Sequence, residues 1–221
     1  MSNVNSSAKA KPALRGNVRK LVMIAMLSAV AFILMFVEVS LPFLIPSFVK
    51  MDVSDLPALI GSFSMGPVAG IAICVLKNVL HIVIKGTSTA CAGEICNALL
   101  GITLVVPASL IYRLMRRNVV PAEAKRKGRI AALVGCIVGS VAMGVLSVPI
   151  NYFITYPAYI KFYGMPLEAI IGMYQQILPS VKNLLACLVI FNMPFTFVKG
   201  ILCSVITFLI YKPISGFIKG R

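Results

Sequence analysis

Charge is scarce in this 221-residue chain, and acid is scarcer: 12% of the residues are charged and only 6 are Asp or Glu. Soluble domains carry roughly 25% charged residues, so a free-standing soluble fold is excluded. A single histidine is present, too few for a typical metal site. The six cysteines (Cys74, Cys91, Cys96, Cys136, Cys187 and Cys203) form no CxxC pair. Neither a zinc site nor a dithiol redox centre is indicated, and five of them lie in apolar runs, where cysteine serves as a small core residue. GxxxxGK[ST] is absent, which excludes hydrolysis of ATP through a P-loop. HExxH and GxSxG are absent, and no serine has a credible base beside it. No inverted repeat is evident. No recognition motif for nucleic acid accompanies the basic charge. The expectation is a binding protein with no catalytic residue, no metal and no cofactor. The first apolar run is too long for the core of a cleavable signal and has no small-residue cleavage site, so no cleaved leader is expected.

What is there is hydrophobic: 59% of the residues, with a mean hydropathy of +0.97. The apolar runs suit helices crossing a hydrocarbon core of about 30 Å. The fold class is therefore all-α integral membrane, in one domain. The net charge of +15 comes from 21 Lys and Arg against 6 acids. In a membrane protein such a surplus marks cytoplasmic segments and attracts anionic lipid headgroups. Residues 1–20 read as a basic cytoplasmic tail, 21–212 as the membrane domain, and 213–221 as a second basic cytoplasmic tail.

Six membrane helices are expected, at about 21–39, 55–65, 67–84, 92–115, 130–148 and 194–211. As one helix, residues 55–84 would run to about 45 Å, too long for the membrane, and Gly66-Pro67 offers the break. The basic segment Arg113–Arg129 should lie on the same side as the N-terminal tail, which requires an even number of crossings between them. Both termini then face the cytoplasm. Residues 40–56, with Pro42 and Pro46, read as an ordered apolar loop folded over the outer mouth. Ser54 or Asp55 would cap the next helix, with Pro57 in its first turn. Gly135 and Gly139 make a GxxxG close-packing face, and Ala25, Ser28 and Ala29 another small-residue face, for internal packing or for a partner. Pro149 should kink or end its helix, and residues 166–191 should form an outer loop with a shorter helical piece.

Polar side chains gather in the outer halves of these helices. The stretch Asp52–Gly101 carries Asp52, Asp55, Lys77, Asn78, His81, Glu94 and Asn97, and Asn151, Asn192, Thr196 and Lys199 follow. Polar groups at membrane depth are costly and face a cavity or one another. A channel or an alternating-access carrier would place them through the whole thickness or near the midplane. A pocket in one half suits a binding subunit with no engine of its own. Lys77 and Glu94 could pair across two helices. His81 could be a packed, hydrogen-bonded residue. Lys199 has no obvious acid partner, so a ligand carbonyl or anionic oxygen is its expected contact. An intramembrane enzyme using Glu94 and His81 is the alternative from another class.

The run KMDVSDLPALIGSFSMGPVAGIAICVLKN, then GEICNALLG, VPINYF and PFTFVKGILCSVITFLIYK, resembles the riboflavin-specific S components of energy-coupling factor (ECF) vitamin transporters. The resemblance implies a multi-pass protein of the bacterial plasma membrane, with six helices and a pocket on the extracellular side closed by the loop after the first helix. It implies riboflavin as ligand, with FMN, flavin analogues or another vitamin as alternatives. It also implies a transmembrane T component and two ABC ATPases as partners, docked through an AxxxA face that Ala25 and Ala29 match. For the isoalloxazine ring it implies an apolar slot, to which Phe43, Phe48, Tyr152, Phe195 and Phe197 could contribute. Asn151 and Lys199 carry over as contacts to the ring edge, and Asn97 joins the expected binding set. Thr196 stands where the family often has Asn, and Lys50 where a Thr can occur in the covering loop.

Overall fold

The computed structural model describes residues 12–47, 49–87, 91–117, 123–164 and 166–219. Helix α1 (Pro12–Leu34) begins inside the stretch expected as a tail and ends before the expected residue 39. Arg and Lys are good helix formers, so Arg15, Arg19 and Lys20 extend the apolar helix. Glu38 falls outside it, in a strand.

That strand gives the expected ordered loop a regular form, a short hairpin. β1 (Glu38–Ser40) pairs antiparallel with β2 (Lys50–Asp52), in the register Glu38↔Asp52, Val39↔Met51 and Ser40↔Lys50. Pro42 and Pro46 sit in the connection, where no ladder hydrogen bond is needed from them.

α2 (Leu56–Met65) has a proline in its first turn, as expected. It stops at Gly66, whose φ of 109° is accessible to glycine at little cost. Pro67 then opens α3 (Pro67–Lys85), and α4 (Ala92–Arg116) follows. α5 (Ala124–Ile150) does not end at Pro149. It passes through a π-helical turn, Asn151–Thr155, into α6 (Tyr156–Tyr163), giving one apolar rod over Arg126–Phe162. Proline removes one i→i−4 bond, and the helix absorbs the defect by widening into the π turn. α7 (Leu167–Gln175) is short. α8 (Leu184–Cys187) runs through a second π turn, Leu188–Asn192, into α9 (Met193–Lys219). The last long helix therefore starts inside the region expected as an outer loop.

Among the described residues, five helices are long and apolar enough to cross a membrane: Gly16–Leu34, Pro67–Lys85, Ala92–Arg116, Arg126–Phe162 and Leu184–Ile210. The sixth expected helix, α2, is only 10 residues long, about 15 Å or half a hydrocarbon core. The main core joins Ala58 and Leu59 of α2, Ile73 of α3, Leu104 and Ala108 of α4, and Met143 of α5. The GxxxG face serves internal packing: a methyl group on Gly135 would lie 2.5 Å from the Ala108 carbonyl oxygen, and one on Gly139 would strike that of Leu104. A second cluster, with Ile45, Tyr156, Ile170, Tyr174 and Leu188, seats the hairpin and α7 together at one end of the bundle. The arginine-rich end of α4 lies at the other, where Arg113 donates to the Met65 carbonyl at 3.1 Å.

Candidate functional site

At the hairpin end lies a cavity of about 310 Å³, a size typical of small-molecule sites, which start at about 300 Å³. Its walls come from several elements at that end: Glu38, Lys50 and Asp52 of the hairpin, His81 and Lys85 of α3, and Glu94, Cys96, Asn97 and Leu100 of α4. The π turns contribute Asn151, Thr155 and Asn192, and α6 and α9 add Tyr156, Tyr159, Phe195, Thr196 and Lys199.

One side of this cavity rests on a buried set of four charges. The DVSD turn folds on itself: the Asp52 Oδ1 accepts from the Ser54 backbone N–H at 2.9 Å and also from the Ser54 hydroxyl. The Lys199 Nζ donates to the Asp52 Oδ2 at 2.9 Å and lies 3.7 Å from the Asp55 Oδ2. The Lys77 Nζ donates to the Asp55 Oδ1 at 2.5 Å and to the Ser54 Oγ at 2.6 Å. The side chains of Lys77 and Asp55 are 0% exposed. Two cations and two anions cancel, the arrangement that makes buried charge tolerable. α4 makes room for the set at Gly101, where a methyl group would lie 2.7 Å from the Asp55 Oδ1. Burial alone would push the Asp52 carboxyl up; Lys199, Lys77 and the Ser54 hydroxyl outweigh it and hold that carboxyl well below the usual aspartate range.

This network corrects three expectations. Lys199 has an acid partner, contributed by the hairpin. Lys77 pairs with Asp55, not with Glu94. Neither Ser54 nor Asp55 caps α2 through its side chain, because those groups are committed to the lysines and to Asp52. Lys199 can still serve a ligand. Its ammonium has three protons; Asp52 takes one, Asp55 is beyond hydrogen-bond reach, and the residue lines the cavity.

A second polar contact joins α3 to α4. The His81 Nδ1 lies 3.3 Å from the Glu94 Oε1, and the Thr87 hydroxyl donates to the Glu94 Oε2 at 3.1 Å. At the rim the Lys50 Nζ meets the Glu38 Oε1 at 2.5 Å, and the Lys85 Nζ approaches the same oxygen at 3.6 Å.

Neutral groups complete the walls. The Asn151 Nδ2 donates to the Ser147 carbonyl at 2.8 Å, and its Oδ1 accepts from the Cys96 thiol at 3.5 Å. The Tyr156 and Tyr174 hydroxyls lie 2.5 Å apart; Tyr174 donates to the Asn192 Oδ1 at 2.6 Å, and the Asn192 Nδ2 donates to the Tyr156 oxygen at 3.3 Å. Burial pushes the Tyr174 hydroxyl above the ordinary tyrosine range, so it stays protonated. The Asn97 amide makes no side-chain hydrogen bond among the described residues, and its Oδ1 is closed off from solvent without a partner.

Of the residues expected from the sequence, Lys50, Asn97, Asn151, Thr196 and Lys199 meet at the cavity. Tyr152 does not: it is 40% exposed and packs edge-on against Phe153. Phe48 lies outside the described residues. Of the other aromatics expected in the slot, Phe195 lines the cavity. Phe43 is 71% exposed, and Phe197 backs onto Gly144. The rings that take their place are Tyr156 and Tyr159. Ala25 and Ala29 are exposed, whereas Ser28 turns inward and donates to the Ile24 carbonyl at 2.7 Å. The small-residue face is thus split between inside and outside.

Comparison with known proteins places this arrangement among relatives. The family model "ECF transporter, substrate-specific component" matches residues 19–211. The chain is 29% identical over 91% of its length to the riboflavin transporter RibU of Staphylococcus aureus (strain TCH60), covering 93% of that protein. It is 30% identical over 91% of its length to the riboflavin transporter FmnP of Bacillus subtilis (strain 168), covering 95% of that protein. Among solved structures, one described as the S component of a bacterial ECF transporter superposes with a TM-score of 0.63 at 28% identity, over 92% of this chain and 99% of that one.

Proposed function

The chain belongs to the substrate-specific components of ECF transporters, integral membrane proteins that are transporter subunits and not enzymes, and from that premise we propose that it is the riboflavin-binding subunit of a vitamin uptake system. The observation that carries this reading is the cavity with Lys199 in its wall, in a chain whose curated relatives are riboflavin transporters. The tyrosines and Phe195 offer faces for a flat ring. The Lys199 ammonium and the Asn151 amide offer donors for the carbonyl edge of that ring, and Thr196 and Lys50 stand close enough to add contacts. A few fixed polar groups in an apolar pocket give orientation and specificity.

In this reading α2 counts as a sixth, incomplete crossing. The cavity opens outward beneath the hairpin, and both termini lie in the cytoplasm. The arginines of α4 lie at the end opposite the hairpin, with the start of α1 and the end of α9, as the positive-inside rule requires. The basic stretches 1–20 and 213–221 are then cytoplasmic tails on a membrane domain. A T component and two ATPases supply the power, and the exposed Ala25 and Ala29 let the T component approach α1 closely.

Two experiments test it. Titration of the purified protein with riboflavin should quench flavin fluorescence to saturation; no quenching ends the riboflavin reading. Ala25→Phe or Ala29→Phe should leave that titration unchanged and abolish uptake in cells carrying the whole transporter. Uptake at the wild-type rate would remove α1 as the docking face.

A further inference from the structure

The polar residues of the cavity differ in what they have left to offer. Asn192 spends its amide on two tyrosines, and Asn151 meets the Ser147 carbonyl through Nδ2 and the Cys96 thiol through Oδ1. Asn97, one turn beyond Glu94 on α4, makes no side-chain hydrogen bond among the described residues, although its Oδ1 is shut away from solvent. An unpaired buried polar group costs about 1–3 kcal/mol, so this amide is poised for a partner that arrives with the ligand. Across from it on α3, His81 faces Glu94 through Nδ1. With the proton on that nitrogen, the neutral ring keeps a lone pair on Nε2.

The wall between α3 and α4 therefore presents an amide, which both gives and accepts, beside an imidazole acceptor. In the riboflavin reading the ring edge, two carbonyls with an N–H between them, is met by Lys199 and Asn151, which leaves this wall to the other end of the ligand. A hydroxyl suits it, because a hydroxyl donates and accepts. Turning the Asn97 amide by half a turn exchanges its oxygen and nitrogen, and a hydroxyl still pairs with either.

We infer that Asn97 is a specificity-determining residue that reads the hydroxyl-bearing side chain of the ligand, with His81 held alongside by Glu94. This rests on the riboflavin reading, and for riboflavin the group read is the ribityl chain. Lumiflavin, which keeps the ring and carries a methyl in place of that chain, separates the two ends of the site.

The test is fluorescence titration of the full-length, detergent-solubilised protein with riboflavin and with lumiflavin, for the wild type and for Asn97→Leu. Wild type should prefer riboflavin. Asn97→Leu should lose at least about tenfold in riboflavin affinity, equivalent to about 1.4 kcal/mol, and stay within about threefold for lumiflavin. Equal losses for both ligands would assign Asn97 a merely structural part and overturn the inference, as would an unchanged riboflavin affinity. Asn97→Ser, smaller and still polar, should show a weaker version of the same split and covers the case in which the leucine variant does not fold. Wild type binding both flavins equally well would overturn the inference and leave the riboflavin reading standing. Wild type binding neither would remove that reading and this inference with it.

Discussion

Two side-chain networks tie pieces that do not span the membrane to helices that do, and they are built from opposite materials. The hairpin is held through Asp52, Ser54 and Lys199, with Asp55 and Lys77 behind them, in a cluster of four formal charges. α7 is held through Tyr174, Tyr156 and Asn192, with no formal charge at all. Both border the cavity. In the charged cluster every member depends on the others, because removing one leaves a net charge without water. In the neutral cluster each lost hydrogen bond is a separate, smaller loss. The hairpin is thus fastened by an all-or-none device and α7 by a graded one.

The harshest way to probe this contrast is Lys77→Met. It leaves two aspartates facing one lysine, and breaking a buried pair in this way costs about 3–5 kcal/mol. Thermal unfolding in detergent should show that loss, and Lys77→Met combined with Asp55→Asn should recover part of it. A single variant as stable as wild type would mean that water reaches the cluster. Next in size is Lys199→Ala, which strips the hairpin of its tie and a ligand of its donor. Riboflavin affinity should fall by more than about tenfold, and a titration matching wild type would remove Lys199 from the site. Tyr174→Phe removes one hydroxyl from the neutral network and should cost about 1 kcal/mol, near the usual worth of a hydrogen bond. A loss as large as that of Lys77→Met would erase the distinction between the two networks.

The smallest effect expected is that of pH. The folded-state pKa of Asp52 is depressed, so its contribution is fully present above the unfolded value of about 3.9 and fades only as pH falls toward the lower folded value. Unfolding temperature and riboflavin affinity should therefore show no Asp52-linked change from about pH 8 down to about pH 5. A transition centred near neutrality would mean that Asp52 is not the group that governs the pH response.

Much of the scaffold was legible in the sequence, because it is written locally. Gly66-Pro67 marks the break between α2 and α3, Gly135 and Gly139 mark the contact with α4, and the apolar runs give the bounds of α3 and α4 closely. The hairpin was not legible, since strands of three residues are too short to show an alternating pattern. Nor was the rod through Pro149, because proline reads as a stop unless the π turn beyond it is known. Five of the expected site residues converge, since costly polar groups in apolar helices announce themselves. What joins them did not: Lys199 and Asp52 are 147 positions apart, and only the folded chain shows that they touch. That Tyr156 and Tyr159 line the cavity while Tyr152 faces out depends on the helical phase beyond Pro149, which the sequence does not show.

The two π turns reset the phase of the helices that contain them. Each squeezes a surplus residue into a rod, and a residue is worth about 100° of rotation. Both sit at the height of the cavity, so each works as a local untwisting that swings the following side chains onto a new bearing. Deleting one residue from 151–155 would let the rod wind evenly again, and Tyr156 and Tyr159 would swing away from the cavity while every helix kept its place. The chamber is shaped in part by two small faults in the winding, and a single codon could iron one of them flat.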